Sequence, residues 1–373
     1  MAFVEYAAED VTRLLPPHND HPTFLTLIPD TYTSWIATRA SRLTPSGQWK
    51  NGYLVDLSHH FNMTAFEAQL VILVAVLLTL ARYWITKFIA FPLANWLKLS
   101  NLNRRKFPES FWKFFFYLFS WSYCYHVVFH AGYSIFTDSK TCFQNYDPQA
   151  LPKVDILMVY LIQGSFYIHS LYATLYMDER RKDTWMMILH HILTDTLIGF
   201  SHAFRYHNAG VLIIFTHDVT DICLEFAKLM QYLKLRDGKI HQLFEYLSNF
   251  GFVIFAITWV IFRLYWFPLK ALHTVGHSAA YFAPTAPCMP TFVVLLWILF
   301  TMNVYWFSFI FTKFIGVVFK NEREIRDTRE DEGEEILDLQ EHVKDAKKFP
   351  KEKTATNNNS NHTSKKDSVR RRH

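Results

Sequence analysis

The chain is poor in cysteine and glycine, with four and eleven among 373 residues. Four cysteines cannot staple a disulfide scaffold of this size, and no CxxC pair of the metal-binding kind occurs. The first thirty residues carry Asp, Glu, Pro and His and lack a basic start, an apolar run and a cleavage site. No signal peptide is therefore expected, and the first apolar span has to do the targeting. The net charge is only +5, which is no nucleic-acid signature.

Aromatic residues are what the chain has in excess. Thirty-five Phe, nineteen Tyr and eleven Trp suit helices that face acyl chains and set rings at the headgroup level. Segments near 68–94, 111–135, 154–177, 184–203, 209–233, 243–267 and 291–319 are each apolar enough, and about long enough, to cross a bilayer as a helix of ~20 residues. The expected fold is thus an all-α polytopic membrane protein with about seven transmembrane helices.

One alternate set of loops holds Lys98, Arg104, Arg105 and Lys106, then Arg180, Arg181 and Lys182, then Lys234, Arg236 and Lys239. The other set holds only Lys140, Lys153, Arg205 and Lys270. By the positive-inside tendency the richer set is cytosolic, so the N-terminus is lumenal and the C-terminus cytosolic. Asn62-Met63-Thr64 is then a lumenal glycosylation sequon just before the first span. Cys142 and Cys288 both fall in lumenal loops, where an oxidising compartment would let them pair, while Cys124 and Cys223 lie within spans as packing residues. From Lys320 the apolar pattern gives way to an acidic and then a basic, Asn- and Ser-rich tail with the composition of disorder, apart from a short helix around Glu334 to Val343. Its Ser360, Ser364 and Ser368 are phosphorylation candidates, and its sequons at Asn358 and Asn361 are on the cytosolic side and unused.

Ionisable side chains in mid-membrane are costly and usually mark function. They cluster on two adjacent spans: His190, His191 and Asp195, with Thr194 and Ser201, on the first, and His217, Asp218, Asp221, Glu225 and Lys228 on the second. At helical spacing His190, Thr194 and Ser201 share a face, His191 lies over Asp195, and His217 lies over Asp221. Both groups fall roughly 10–18 Å from their helix starts, near mid-bilayer. The short link Arg205 to Asn208 makes the spans antiparallel neighbours, allowing the His pair to face the His-Asp-Asp set. A neutral imidazole held by a carboxylate can take a proton near neutral pH or attack an activated carbonyl, which is acyl-transfer equipment. Arg104, Arg105, Lys106, Arg180, Arg181 and Lys182 would attract the phosphates of CoA. Lone membrane His and Thr residues also serve as interhelical hydrogen-bond partners, but five or six ionisable groups exceed what gluing requires. Three His with two or three carboxylates could hold metal, yet there is no HxxHH or ExxH series, so no metal is expected here.

The stretch HHILTDTLIGFSHAFRYHNAGVLIIFTHDVTDICLEFAKLMQYL resembles the signature of the ceramide synthases of the longevity-assurance family, in which HHxxT is followed by a Ser, a Gly, HDxxD, an LE pair and a K ahead of Y. KFPESFWKFFFYL looks like the family's entry into its shared TLC membrane domain, so the likeness runs from about residue 105 to 318. The resemblance implies a multi-pass endoplasmic reticulum enzyme that joins an acyl group from acyl-CoA to the amine of sphinganine or sphingosine, with no cofactor. Carried over by motif, His190 and His191 would be the catalytic pair, supported by His217, Asp218 and Asp221. In this family the loop corresponding to about Lys270 to Pro290 is held to influence acyl length, and homo- or hetero-dimers are expected partners. The implied organisation is a lumenal segment 1–66, a first transmembrane helix 67–95, a TLC-type domain 105–319 and a cytosolic tail 320–373. Only Pro92 to Pro108 separates the first span from the shared domain, which leaves no room for the homeobox-like insert of many animal members and no DNA role. TLC proteins that sense or organise lipid without catalysis are the rival class, and they tend to lack the full His and acid set. A seven-span receptor would have NPxxY where this chain has Asn303-Val304-Tyr305, and a proton-coupled transporter would show inverted repeats or paired helix breaks, which are not seen.

Overall fold

The computed structural model describes residues 12–319 apart from 45 and 145, and their side chains apart from 56 and 316–319. The expectations about the tail lie outside the described residues. The chain is predominantly helical: α1 (Phe24–Ala40), α2 (Tyr53–His59), α3 (Ala65–Trp96), α4 (Asn101–His130), α5 (Val154–Tyr176), α6 (Thr184–Ala203), α7 (His207–Lys234), α8 (Gln242–Phe282) and α9 (Met289–Phe319). Helices α3, α5, α8 and α9 are long and apolar enough to cross a membrane. Helices α4, α6 and α7, at 30, 20 and 28 residues, have the length but carry much of the chain's ionisable cargo.

Helix α3 starts on a reciprocal cap: the Thr64 hydroxyl accepts from the Glu67 amide at 3.2 Å, and the Glu67 carboxylate accepts from the Thr64 amide at 2.7 Å. Its outer face, with Ile72, Leu73, Val76, Leu77, Leu80 and Trp84 exposed, has no protein cover and suits contact with acyl chains. Its inner face packs on α5, where Thr79 bonds the ring of His169 at 2.9 Å. Helix α7 is the inner helix, flanked by α4 and α8. Gly251 of α8 lets the backbones close, since a Cβ there would lie 3.3 Å from Cα of Ala227.

Two short connections set the geometry. Residues 204–206 join α6 to α7, with Arg205 in the left-handed region at φ 63°. A two-stranded hairpin, β1 (Leu235–Arg236) and β2 (Lys239–Ile240), joins α7 to α8 through Asp237 and Gly238, whose φ values of 52° and 67° fit a type I′ turn.

Helix α8 departs from α-helical winding over Trp259–Leu272 and again over Thr274–Ser278, where the bonds run i to i+5. Such wide turns are rare and are often found at functional sites. Here the wide turn includes Arg263, whose guanidinium lies over the Trp259 ring at 4.2 Å and is directed at α7.

The expected Cys142–Cys288 disulfide is not formed. Both residues are buried and are not cross-linked to each other, and burial pushes the Cys142 thiol up to about 12, away from the thiolate that disulfide exchange requires. The side-chain amide of Asn62 donates to the carbonyls of Pro148 at 2.9 Å and His60 at 3.2 Å, so the nitrogen that would carry an oligosaccharide is engaged.

Candidate active site

Helices α6 and α7 bring the mid-membrane residues to two cavities that share one side chain. The larger encloses about 1460 Å³ including its open mouth. His190, His191, Asp221, Arg263 and Trp306 line it, with Lys113, Arg181, Lys228 and Lys313 also on its wall. The smaller, about 460 Å³, is lined mainly by Leu197, Ile198, Ile213, Ile214, Phe292 and Leu299, together with Thr194, Ser201 and His217. His190 lines both. The expected common face of His190, Thr194 and Ser201 is therefore the wall of the apolar cavity.

The carboxylates do not hold the imidazoles as the i+4 spacing suggested. His217 directs Nδ1 at the Ile213 carbonyl, 2.8 Å away, and receives the side-chain amide of Asn303 on Nε2 at 3.1 Å. A carbonyl can only accept, so Nδ1 carries the proton and Nε2 the lone pair. Both nitrogens of this ring are thus occupied. Asp221 instead pairs with Arg263 at 2.7 Å, and the same guanidinium donates to the His217 carbonyl at 3.0 Å. Asp218, 1% exposed, accepts from the amide of Gln163 and from Ser120 at 3.5 Å. The local reason is the neighbouring helices: α8, α5 and α4 supply donors with better reach than a ring on the same helix. Asp195 is half-buried and lines neither cavity.

His190 and His191 are different. Nδ1 of each is buried without a hydrogen-bond partner among the described residues, and their rings are held by aromatic edges: His190 against Trp306 at 5.3 Å, and both against Tyr167 at 5.9–6.2 Å. Trp306 is fixed in turn by donating its indole N–H to Asp183 at 3.3 Å. Beside the His pair lies an ion network in which Lys113 bonds Glu109 at 2.7 Å and Asp178 at 2.8 Å, Arg181 bonds Glu109 at 3.0 Å, and Arg82 pairs with Asp178. It joins α3 and α4 to the α5–α6 connection. Glu225 and Lys228 pair at 3.0 Å, one on each side of the next turn of α7.

The residues expected at the CoA phosphates are placed apart from one another. Of its six members only Arg181 lines the cavity. Arg104 reaches Asn95 and Asn101, Arg105 lies 3.5 Å from Glu179, and Lys106 is buried among packed residues. Arg180 and Lys182 are exposed and outside the cavity wall. The other cations that line it are Lys113, Lys228, Arg263 and Lys313, each within a helix rather than in a basic loop.

The fold and this site define a multi-pass helical membrane protein with its ionisable residues gathered at a buried cavity between helices. Residues 106–312 match the TLC domain family model, over half of the chain. The chain is 43% identical over 275 residues to ceramide synthase 1 of Homo sapiens and 42% identical over 274 residues to that of Mus musculus, in each case across 74% of this chain and 78% of the relative. It is 26% identical over 319 residues to ceramide synthase hyl-2 of Caenorhabditis elegans, covering 80% of this chain and 91% of the relative. The chain belongs to the ceramide synthases of the longevity-assurance family, which carry a TLC membrane domain.

Proposed function

We propose that the chain is a sphingoid-base N-acyltransferase of the endoplasmic reticulum, moving a fatty acyl group from acyl-CoA to the amine of sphinganine or sphingosine. The observation that carries this reading is the position of His190 between a cavity with cationic walls and an apolar one. The pantetheine and phosphates of acyl-CoA lie in the larger cavity, the acyl chain extends between Leu197, Ile214 and Phe292, and the thioester stands at the His pair. Apolar walls then limit hydrolysis by bulk water.

In the reaction the amine nitrogen bonds to the thioester carbonyl carbon and the carbon–sulfur bond breaks. One imidazole of the His190–His191 pair takes the proton that the amine loses and passes it to the departing CoA thiolate. A route through a transient acyl group on one imidazole has the same balance, with the amine attacking that acyl-imidazole. His217 has both nitrogens engaged and positions α7 rather than exchanging protons. Asp218 and Asp221 likewise act through their partners Gln163 and Arg263.

Seven spans, α3 to α9, with the N-terminal side lumenal and α9 ending at the cytosol, would open the cationic cavity toward the compartment that supplies acyl-CoA. Glycosylation at Asn62 would require release of its bonds to Pro148 and His60.

The test is amide formation from labelled sphinganine and a panel of acyl-CoAs, in membranes without other such activity, by the native chain and by His190→Ala and His191→Ala. Product from the native chain that disappears in either variant at equal protein level supports the reading. No product from the native chain with any acyl-CoA would overturn it in favour of a lipid-sensing protein.

A further inference from the structure

A second cluster of titratable side chains lies away from the acyl-transfer site, where α1 meets the far end of α8. Asp30 of α1 and His273 and His277 of α8 bring one donor atom each to within 4.8 Å of one another. His273 and His277 are 2% and 0% exposed. The turn spacing of i and i+4 sets both rings on one side of α8, toward α1. We propose that these three residues bind one divalent transition ion of the zinc class, which fastens α1 to the end of α8.

Three observations favour an ion over a plain hydrogen-bonded cluster. First, Nε2 of His273 is buried, has no well-aligned hydrogen-bond partner among the described residues, and faces Oδ2 of Asp30 at 3.4 Å. That separation is about the edge of a tetrahedron whose metal–ligand distances are about 2.0–2.1 Å. Second, the backbone N–H of Asn19 points at Nε2 of His277 at 3.1 Å, so Nε2 presents a lone pair, while Nδ1 is anchored on the Ser34 hydroxyl at 2.8 Å. A lone pair on Nε2, held for now by a backbone N–H, with the other nitrogen oriented by a hydroxyl, is how an imidazole is set to take a metal. Third, Asp30 is itself oriented, since the Asn19 side-chain amide donates to its Oδ2 at 2.8 Å. The ion takes the place of the Asn19 amide on His277 and draws the three donors together by about 1 Å. Two imidazoles and one carboxylate suit zinc rather than calcium or magnesium, and leave a position for water or for His18, whose ring stacks on His277 at 5.3 Å.

The test uses the full chain purified in detergent without chelator, after incubation with zinc and gel filtration, with metal measured by mass spectrometry. The native chain is expected to hold about one zinc per chain, and Asp30→Asn and His273→Gln well below half of that. A chelator is expected to lower the melting temperature of the native chain and to leave that of Asp30→Asn unchanged. Less than roughly a tenth of an equivalent in the native chain, or equal zinc in native and both variants, would overturn the proposal. If His273→Gln does not fold, the milder Asp30→Asn decides alone. Amide formation measured on the same samples keeps the two readings apart: activity without zinc sinks only the metal site, and zinc without activity sinks only the acyltransferase.

Discussion

The side-chain amide of Asn303 donates to Nε2 of His217 across 3.1 Å, tying α9 to α7 and fixing that ring with its proton on Nδ1. The ring of the HDxxD histidine is thereby held at both nitrogens. Asn303→Leu removes the donor while keeping the volume. We expect kcat for amide formation to fall about 10- to 100-fold with little change in KM for acyl-CoA, as for loss of an orienting partner elsewhere. A kcat equal to native would show that the tautomer of His217 is irrelevant.

Arg263 and Asp221 form a pair with side chains 5% and 19% exposed. Removing one member leaves the other charge buried, at a cost of about 3–5 kcal/mol. Arg263→Leu is therefore expected to lower the melting temperature strongly and to reduce the amount of folded protein. Arg263→Leu combined with Asp221→Asn should recover part of that loss, because no lone carboxylate remains. Thermal unfolding of the three proteins in one detergent checks this, and a double variant no more stable than the single would show that the pair is not the source of the loss.

The arrangement of the site was partly legible from spacing. The runs of apolar residues marked the helices, and the cost of ionisable groups in lipid marked α6 and α7, because both signals lie within one segment of chain. The partners of His217, Asp218 and Asp221 on other helices lie 42 to 98 residues away in sequence, on α4, α5, α8 and α9. No periodicity within α7 could show them. Arg263 was nonetheless visible as a lone charge in GFVIFAITWVIFRLYWFPL, by the same rule that singled out the histidines. The basic loops were legible as topology signals, whereas most cations on the cavity wall come from within helices, where no run of basic residues marks them.

Gly210, near the start of α7, sits where the fold allows no side chain. A Cβ there would meet the Tyr160 hydroxyl at 1.8 Å and the Ser201 hydroxyl at 3.0 Å, and those two hydroxyls bond each other at 2.7 Å. Gly210→Ala is expected to destabilise the protein by about 1–3 kcal/mol, the usual cost of overpacking. Adding Tyr160→Phe should restore part of the stability by removing the nearest atom. Melting temperatures of the single and double variants test this, and an unchanged Gly210→Ala would contradict the close approach.

Lys313 and Arg104 separate two accounts of how acyl-CoA is held. Lys313 lines the larger cavity, whereas Arg104 is exposed, outside the cavity wall and bonded to Asn95 and Asn101. A hydrogen bond to a charged partner contributes about 1.5–3 kcal/mol, so loss of a phosphate contact at Lys313→Met should raise KM for acyl-CoA about tenfold or more. The rise should shrink at high salt, where screening already weakens the native contact. Arg104→Met should leave KM near native. Because kcat reports the His pair and KM the cation, a selective KM effect at Lys313 would place the phosphates in the cavity. The opposite ranking of the two variants would return them to the basic loop ahead of α4.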